Sequence, residues 1–111
     1  MERYLMVIRI KPECRDAYIA IHKNPWPEML DALRNAGFTN EIIWYFDDQS
    51  IIYMECEEGT HEECDARLRA TSVCKRWDLE MVPRFAAEPV MPEKIFDLRR
   101  QLIGLPPSAR T

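Results

Sequence analysis

From Glu13 to Ala36 the apolar residues Ala17, Tyr18, Ile21, Met29, Leu30 and Leu33 recur at spacings of three, four and seven or eight, the period of one helix face, and Gly37 stands where a helix stops. Two prolines interrupt that run. Asn24 precedes Pro25 and is pushed out of helical geometry, and a proline in mid-helix costs about 3 kcal/mol. Pro25 and Pro27 become tolerable when Asn24 caps a fresh turn whose first amides have no partner in any case. The run therefore reads as a long helix kinked just after His22. The kink aims the His22 end of the first segment at a gap that a ligand can reach.

The elements around this helix follow from periodicity and punctuation. In "RYLMVIRI" the alternate residues Tyr4, Met6, Ile8 and Ile10 are apolar, which predicts a first strand with one core face, ended by Pro12. "NEIIWYFDDQSIIYMECE" predicts a hairpin of two strands rich in Ile, Trp, Tyr and Phe around the polar turn Asp47-Asp48-Gln49-Ser50. Thr60 and Glu63 have the spacing of a capping box, opening a helix that carries Cys64 and Leu68 to about Ala70. A second short helix spans about Ser72 to Met81 and is stopped by Pro83. A last short strand is expected around Lys94 to Leu98, and "LPPSART" reads as a frayed tail.

The order β-α-β-β-α-β is that of the ferredoxin-like, split βαβ unit, an α+β fold with a four-stranded antiparallel sheet. The 111 residues suit one domain, with residues 1–98 as the folded core and 99–111 as a C-terminal tail. Both faces of the hairpin strands are apolar, since Ile42, Trp44 and Phe46 alternate with Ile43 and Tyr45. One helical layer cannot cover both. The uncovered face predicts a homodimer, a ligand pocket or both.

The formal net charge of -4, spread along the chain, offers no basic stripe for a phosphate backbone, and no aromatic RNP pattern accompanies the split βαβ order. Nucleic acid is not an expected partner. No apolar run approaches the roughly 20 residues that span a bilayer, and "MERYLMVIRI" lacks a cleavage-like site. Cys14, Cys56, Cys64 and Cys74 form no C-x-x-C pair, as suits reduced thiols in a cytosol. A cytoplasmic protein without a membrane segment is expected. His61 and Cys64 can share a helix face, but no second ligand pair at metal spacing accompanies them, and no metal site is expected.

Positions four apart on a helix differ by about 40° in azimuth and about 6 Å in height, so Tyr18 and His22 can converge on one small molecule. Histidine titrates near neutrality and can donate a proton and take it back within one cycle. Tyrosine adds a hydroxyl that donates and accepts. The same two residues on a buried stripe also suit plain core packing. Trp26 and Trp77 present flat faces fit for the apolar side of a sugar ring, and Asp78 beside Trp77 can accept hydrogen bonds from hydroxyls. Each also has an ordinary role, tryptophan in a core and aspartate on a solvated helix face. Arg9 suits a pocket or the surface equally.

The arrangement Tyr18-x-x-x-His22-x-x-x-Trp26-Pro27-Glu28, followed by a Tyr- and Trp-bearing hairpin and by "TSVCKRW" at 71–77, resembles the L-rhamnose mutarotase family from the first strand to "IFDL". The resemblance implies a dimeric α/β barrel built on a ferredoxin-like unit, and interconversion of the α and β anomers of a 6-deoxy sugar without metal or cofactor. It implies His22 as the general acid, Tyr18 as a substrate contact and Trp77 as a wall of the pocket. Members with rhamnose activity tend to carry a tyrosine at the start of the second strand and a double tryptophan in the short helix. Here those places read Glu41 and Asp78. Two aromatic contacts have become two carboxylates, which admits L-fucose or another 6-deoxy sugar beside L-rhamnose and makes Asp78 a candidate base. Two other classes share the barrel: a cofactor-free monooxygenase or haem-degrading enzyme, and a non-catalytic small-molecule binding module in which Tyr18 and His22 merely pack.

Overall fold

The computed structural model describes residues 1–107. Its elements run β1 (Glu2–Arg9), α1 (Arg15–Lys23), α2 (Pro27–Ala36), β2 (Phe38–Phe46), β3 (Gln49–Cys56), α3 (His61–Arg69), α4 (Ser72–Met81) and α5 (Leu98–Leu102), with 3-10 turns at Pro12–Cys14 and Val82–Arg84. The alternation in β1 comes out as expected. Ile8 and Ile10 are buried, while Leu5 and Arg9 on the other side of the strand are exposed.

β3 lies between β1 and β2 and pairs antiparallel with both. Directly opposed residues share a sheet face, so the register Tyr4–Met54–Glu41 and Met6–Ile52–Ile43 identifies one face, and Leu5–Tyr53–Ile42 the other. The first face carries the buried side chains Ser50, Ile52, Met54, Cys56 and Phe38, and receives Met29, Ala32 and Ala36 of α2, Cys64 and Leu68 of α3, and Val73, Cys74 and Met81 of α4. The hairpin turn is tighter than its sequence suggests. Asp47 and Asp48, at φ 52° and 54°, make the whole of it, and Gln49 and Ser50 already belong to β3. Positive φ at both central residues matches the twist of the flanking strands, and aspartate tolerates that region better than most residues.

The helix break differs in detail from the expectation. Asn24 does not open the second segment. It closes the first, its amide donating to the Ala20 carbonyl at 3.2 Å, and Trp26 takes the N-cap position of α2 with Pro27 as its first residue. A proline at that first position loses no helix bond, whereas Asn24 ahead of Pro25 is driven out of helical geometry and so ends a helix. The capping box at Thr60 also does not form. The Thr60 hydroxyl donates to the Glu57 carbonyl, and the free amide of His61 donates to a Glu2 carboxylate oxygen at 3.2 Å. A carboxylate reaching over from β1 does the same electrostatic work at the start of α3.

The fourth strand is the larger correction. Among the described residues the sheet has three strands, and 94–97 form none. The segment from Arg84 to Val90 runs along the free edge of β1 instead. The Lys11 amide donates to the Arg84 carbonyl, the Ala86 amide to Arg9, and Val7 and Val90 exchange both bonds at 2.8 and 2.9 Å. The fourth-strand position of the ferredoxin-like order is occupied, by a stretch whose Pro89 cannot donate and which therefore pairs only at intervals. With that edge taken, Ile95 and Phe96 stay exposed, and the chain turns into α5, whose first turn is capped by Asp97. Residues 99–102 of the expected tail are thus helical, in a helix that starts at Leu98. Those at 108–111 lie outside the described residues.

Gly37 at φ 110° turns the chain from α2 into β2, and a Cβ there would stand 2.8 Å from Cys64 Sγ and 3.2 Å from Arg67 Nη2. Gly37→Ala is expected to destabilise the protein by about 1–3 kcal/mol, read from urea unfolding. An unchanged midpoint would mean that α3 does not hold this corner tightly.

Candidate active site

The helices and the core face of the sheet do not close on each other completely. Between the helices α1–α4, the segment from Phe85 to Pro89 and the sheet lies an open cavity of about 1430 Å³. That exceeds the ~300–1,000 Å³ of most small-molecule pockets. Its floor includes Tyr4, Met6, Ile43, Ile52 and Met54, an apolar surface on which a few polar groups stand out.

His22 comes from the last turn of α1. Its Nδ1 lies 2.7 Å from the Tyr18 carbonyl oxygen one turn earlier. A carbonyl oxygen only accepts, so Nδ1 carries a proton and donates it, leaving Nε2 as the basic nitrogen of the neutral ring. The ring is fixed on two further sides. The Tyr18 ring lies against it with centroids 4.1 Å apart, and Trp77 of α4 meets it edge-on at 5.3 Å. Burial holds the imidazole below its ordinary pKa, although the bond to the Tyr18 carbonyl works the other way. His22 is therefore neutral near pH 7 and ready to accept a proton.

Tyr18 is 3% exposed and its hydroxyl donates to Ser50 Oγ at 2.7 Å. Burial pushes this phenol up to about 12, with the Ser50 hydrogen bond opposing and the Glu41 carboxylate adding to the rise. It stays protonated, and its oxygen keeps lone pairs to accept from a ligand. Glu41 stands on the core face of β2, opposite Met54. Burial among apolar neighbours pushes its carboxyl up to about 7. Asp78 is engaged differently, accepting from Arg69 Nη1 at 3.0 Å, while Arg69 Nε lies 3.6 Å from Asp65.

Five of the six residues singled out in the sequence thus line one cavity: Tyr18, His22, Glu41, Trp77 and Asp78. Trp26 does not. It packs edge-on behind Trp77 at 5.2 Å, with the Arg76 guanidinium over its other side at 5.8 Å, so it props the wall from behind. Arg9 is exposed on the opposite face of the sheet. His61 lies against the Tyr4 ring at 4.0 Å and the Cys64 thiol donates to Thr60 Oγ1 at 3.6 Å. Among the described residues no group of three or more His, Cys, Asp or Glu side chains is placed to hold a metal ion, and no helix is long and apolar enough to cross a membrane.

Sequence reading missed Ser50, Tyr4, Asp65 and Arg69. Ser50 looks like a turn residue until the register puts it in β3 under Tyr18. Asp65 and Arg69 have the i,i+4 spacing of a solvated helix pair, and only their position at the cavity wall sets them apart.

A family model described as L-rhamnose mutarotase matches residues 3–100. The L-rhamnose mutarotase of Pectobacterium carotovorum subsp. carotovorum (strain PC1) is 32% identical over 79 residues, covering 69% of this chain and 73% of that one. Among solved structures, an L-rhamnose mutarotase from Formosa agariphila superposes with a TM-score of 0.70 at 15% identity, over 87% of this chain and 98% of that chain. An antibiotic biosynthesis monooxygenase superposes with a TM-score of 0.60 at 14% identity, over 86% of this chain and 99% of that chain. At such identities these two likenesses speak for the ferredoxin-like α+β fold alone. The match over residues 3–100 speaks for more: the chain belongs to the L-rhamnose mutarotase family, a family of isomerases.

Proposed function

We propose that this protein interconverts the α and β anomers of a 6-deoxy aldose, L-rhamnose or a relative such as L-fucose, by acid-base assisted ring opening, as a cytoplasmic homodimer. The observation that carries the reading is the setting of His22: a neutral imidazole, its Nδ1–H fixed on the Tyr18 carbonyl, in the wall of a cavity lined with both apolar and hydroxyl-binding groups. Mutarotation needs little else. One proton leaves the anomeric hydroxyl, one arrives at the ring oxygen, the bond between C1 and that oxygen breaks, and the ring recloses on the other face of the aldehyde. His22 is the proton-transfer residue, accepting at Nε2 and acting as the acid once charged. The Trp77 face packs on the apolar side of the sugar, backed by Trp26, and Tyr18, Asp78 and Glu41 take hydroxyls.

The outer sheet face supports the dimer. Leu5, Ile42, Trp44 and Phe46 lie together there, the last two 54% and 73% exposed. Two such faces packed together give the dimeric α/β barrel.

Exchange NMR on the anomeric protons of L-rhamnose, L-fucose and a D-hexose control tests the activity. A deoxy sugar is expected to exchange faster with the protein than in buffer, and His22→Ala is expected to lose about 10²-fold or more of that enhancement. If no sugar exchanges faster than in buffer, the proposal fails. Light scattering after gel filtration is expected to give twice the chain mass, and Trp44→Glu to give the chain mass. A wild-type monomer would remove the barrel.

A further inference from the structure

The half-buried charged groups around the cavity mostly have partners. Asp78 and Asp65 share Arg69, and the His22 Nδ1–H has the Tyr18 carbonyl. Glu41 is the exception among them, while Lys23 and Glu88, also without partners among the described residues, are exposed to solvent. Among the described residues its carboxyl makes no hydrogen bond and no ion pair, although it is half-buried on the cavity floor. Its neighbours on that face are apolar or aromatic: Met54 directly opposite, Tyr4 beyond Met54, and Ile43 next along β2. A carboxyl left without a cation in such a place gains nothing for the fold, since an unpaired buried charge is costly and Gln or Leu would fit the same space. It is open to whatever enters the cavity.

We propose that Glu41 is the second proton-transfer group of this site, donating to the ring oxygen of the sugar while His22 Nε2 accepts the proton of the anomeric hydroxyl. The inference rests on the mutarotase reading and adds a residue to it. In the opening step the O1–H proton passes to Nε2, the C1–O5 bond breaks as C1=O1 forms, and the Glu41 proton goes to O5. In closure the O5 hydroxyl returns its proton to the Glu41 carboxylate as O5 bonds to C1, and the imidazolium returns its proton to O1. Protons and electron pairs balance, and both residues end as they began. The two groups come from different layers of the fold. Glu41 stands on β2 and His22 on α1, both line the one cavity, and the Tyr18 ring that lies against His22 is close enough to Glu41 to feel its charge.

Burial acts on the pair in opposite directions. It lowers the imidazole and raises the carboxyl to about 7, so base and acid are both in their working forms just below neutrality. The other ionisable groups that share a hollow with Glu41 include Tyr4 from β1, Tyr18 and Lys23 from α1, the Asp31-bound Arg34 from α2, Tyr45 from β2 itself, His61 and the Arg69-bound Asp65 from α3, Asp78 from α4, and Glu88 from the segment along β1. All three tyrosines have raised pKa values and stay neutral, and Asp65 and Asp78 flank a single arginine.

The test is the pH profile of the exchange rate, measured on the full chain as wild type and as Glu41→Gln. For wild type the rate rises with pH as His22 becomes neutral and falls as Glu41 loses its proton, with the upper midpoint at about 7. Glutamine keeps the shape and can still bind a hydroxyl, but it transfers no proton. Glu41→Gln is expected to lose about 10²-fold in kcat and the fall above neutrality, with KM little changed. A raised KM with kcat and profile intact would make Glu41 a hydroxyl contact only and overturn the proposal, as would an unaltered variant. Wild-type protein that speeds no sugar would overturn the mutarotase reading itself, a result distinct from either. Should Glu41→Gln fail to fold, carbon-13 NMR of glutamate-labelled wild type decides: one carboxyl titrating near 7 supports the proposal, and all of them titrating in the ordinary range overturns it.

Discussion

Two prolines end α1 after Lys23, and the geometry of the site depends on that stop. In an uninterrupted helix residue 26 would follow residue 22 on the same face, one turn on, and the indole would close over the imidazole. The break swings Trp26 aside to the N-cap position of α2, where it supports Trp77 from behind. His22 is left in a last helical turn with its ring folded back onto the Tyr18 carbonyl. Three contacts then fix one ring: the carbonyl, the stacked phenol and the indole edge. Together they set both its tautomer and its tilt, and the cavity stays open in front of it.

The sheet contributes the other half of the site through its register. Because side chains alternate, a strand one residue out of step would send Glu41 to the outer face and put Ile42 in its place. The two-residue turn at Asp47 and Asp48 holds that register close to the hairpin's end, and the same register puts Ser50 beneath Tyr18. A two-residue turn thus determines which carboxyl faces the cavity and which hydroxyl supports Tyr18. Most of the floor is apolar, and burial against it shifts the imidazole and the carboxyl of Glu41 in opposite directions.

How much of this the sequence discloses depends on whether the determinants are local. Strand β1, the broken helix and the span of α4 are legible because period and proline act within a few residues, and α4 lies between Ser72 and Met81 as its sequence suggests. The grouping of Tyr18, His22, Trp77, Asp78 and Glu41 is legible only through family resemblance, since no local rule brings a residue of β2 to α1. Features that depend on the course of the backbone are not legible. Thr60 and Glu63 satisfy the capping-box pattern, yet the carboxylate at the start of α3 comes from Glu2. Lys94 to Leu98 have strand composition, but hydrogen bonding along β1 has already gone to the segment from Arg84 to Val90. Trp26 looks like a ligand platform from its place in the motif, and only the turn at Pro25 and Pro27 shows that it faces another tryptophan.

The stretch from Arg84 to Val90 has a bearing on how such chains meet one another. A sheet with a bare edge invites a stranger's strand to extend it, and successive additions have no natural end. Here one border is lined by a proline-bearing ribbon that gives up only scattered backbone groups, and the pairing of the other border strand slips at Phe38 and Asn40, a bulge that twists it out of line. Growth by lateral addition is discouraged on both sides. What remains attractive to a second molecule is the broad greasy face, and contact through a face is self-limiting: once two have met, neither has another to offer.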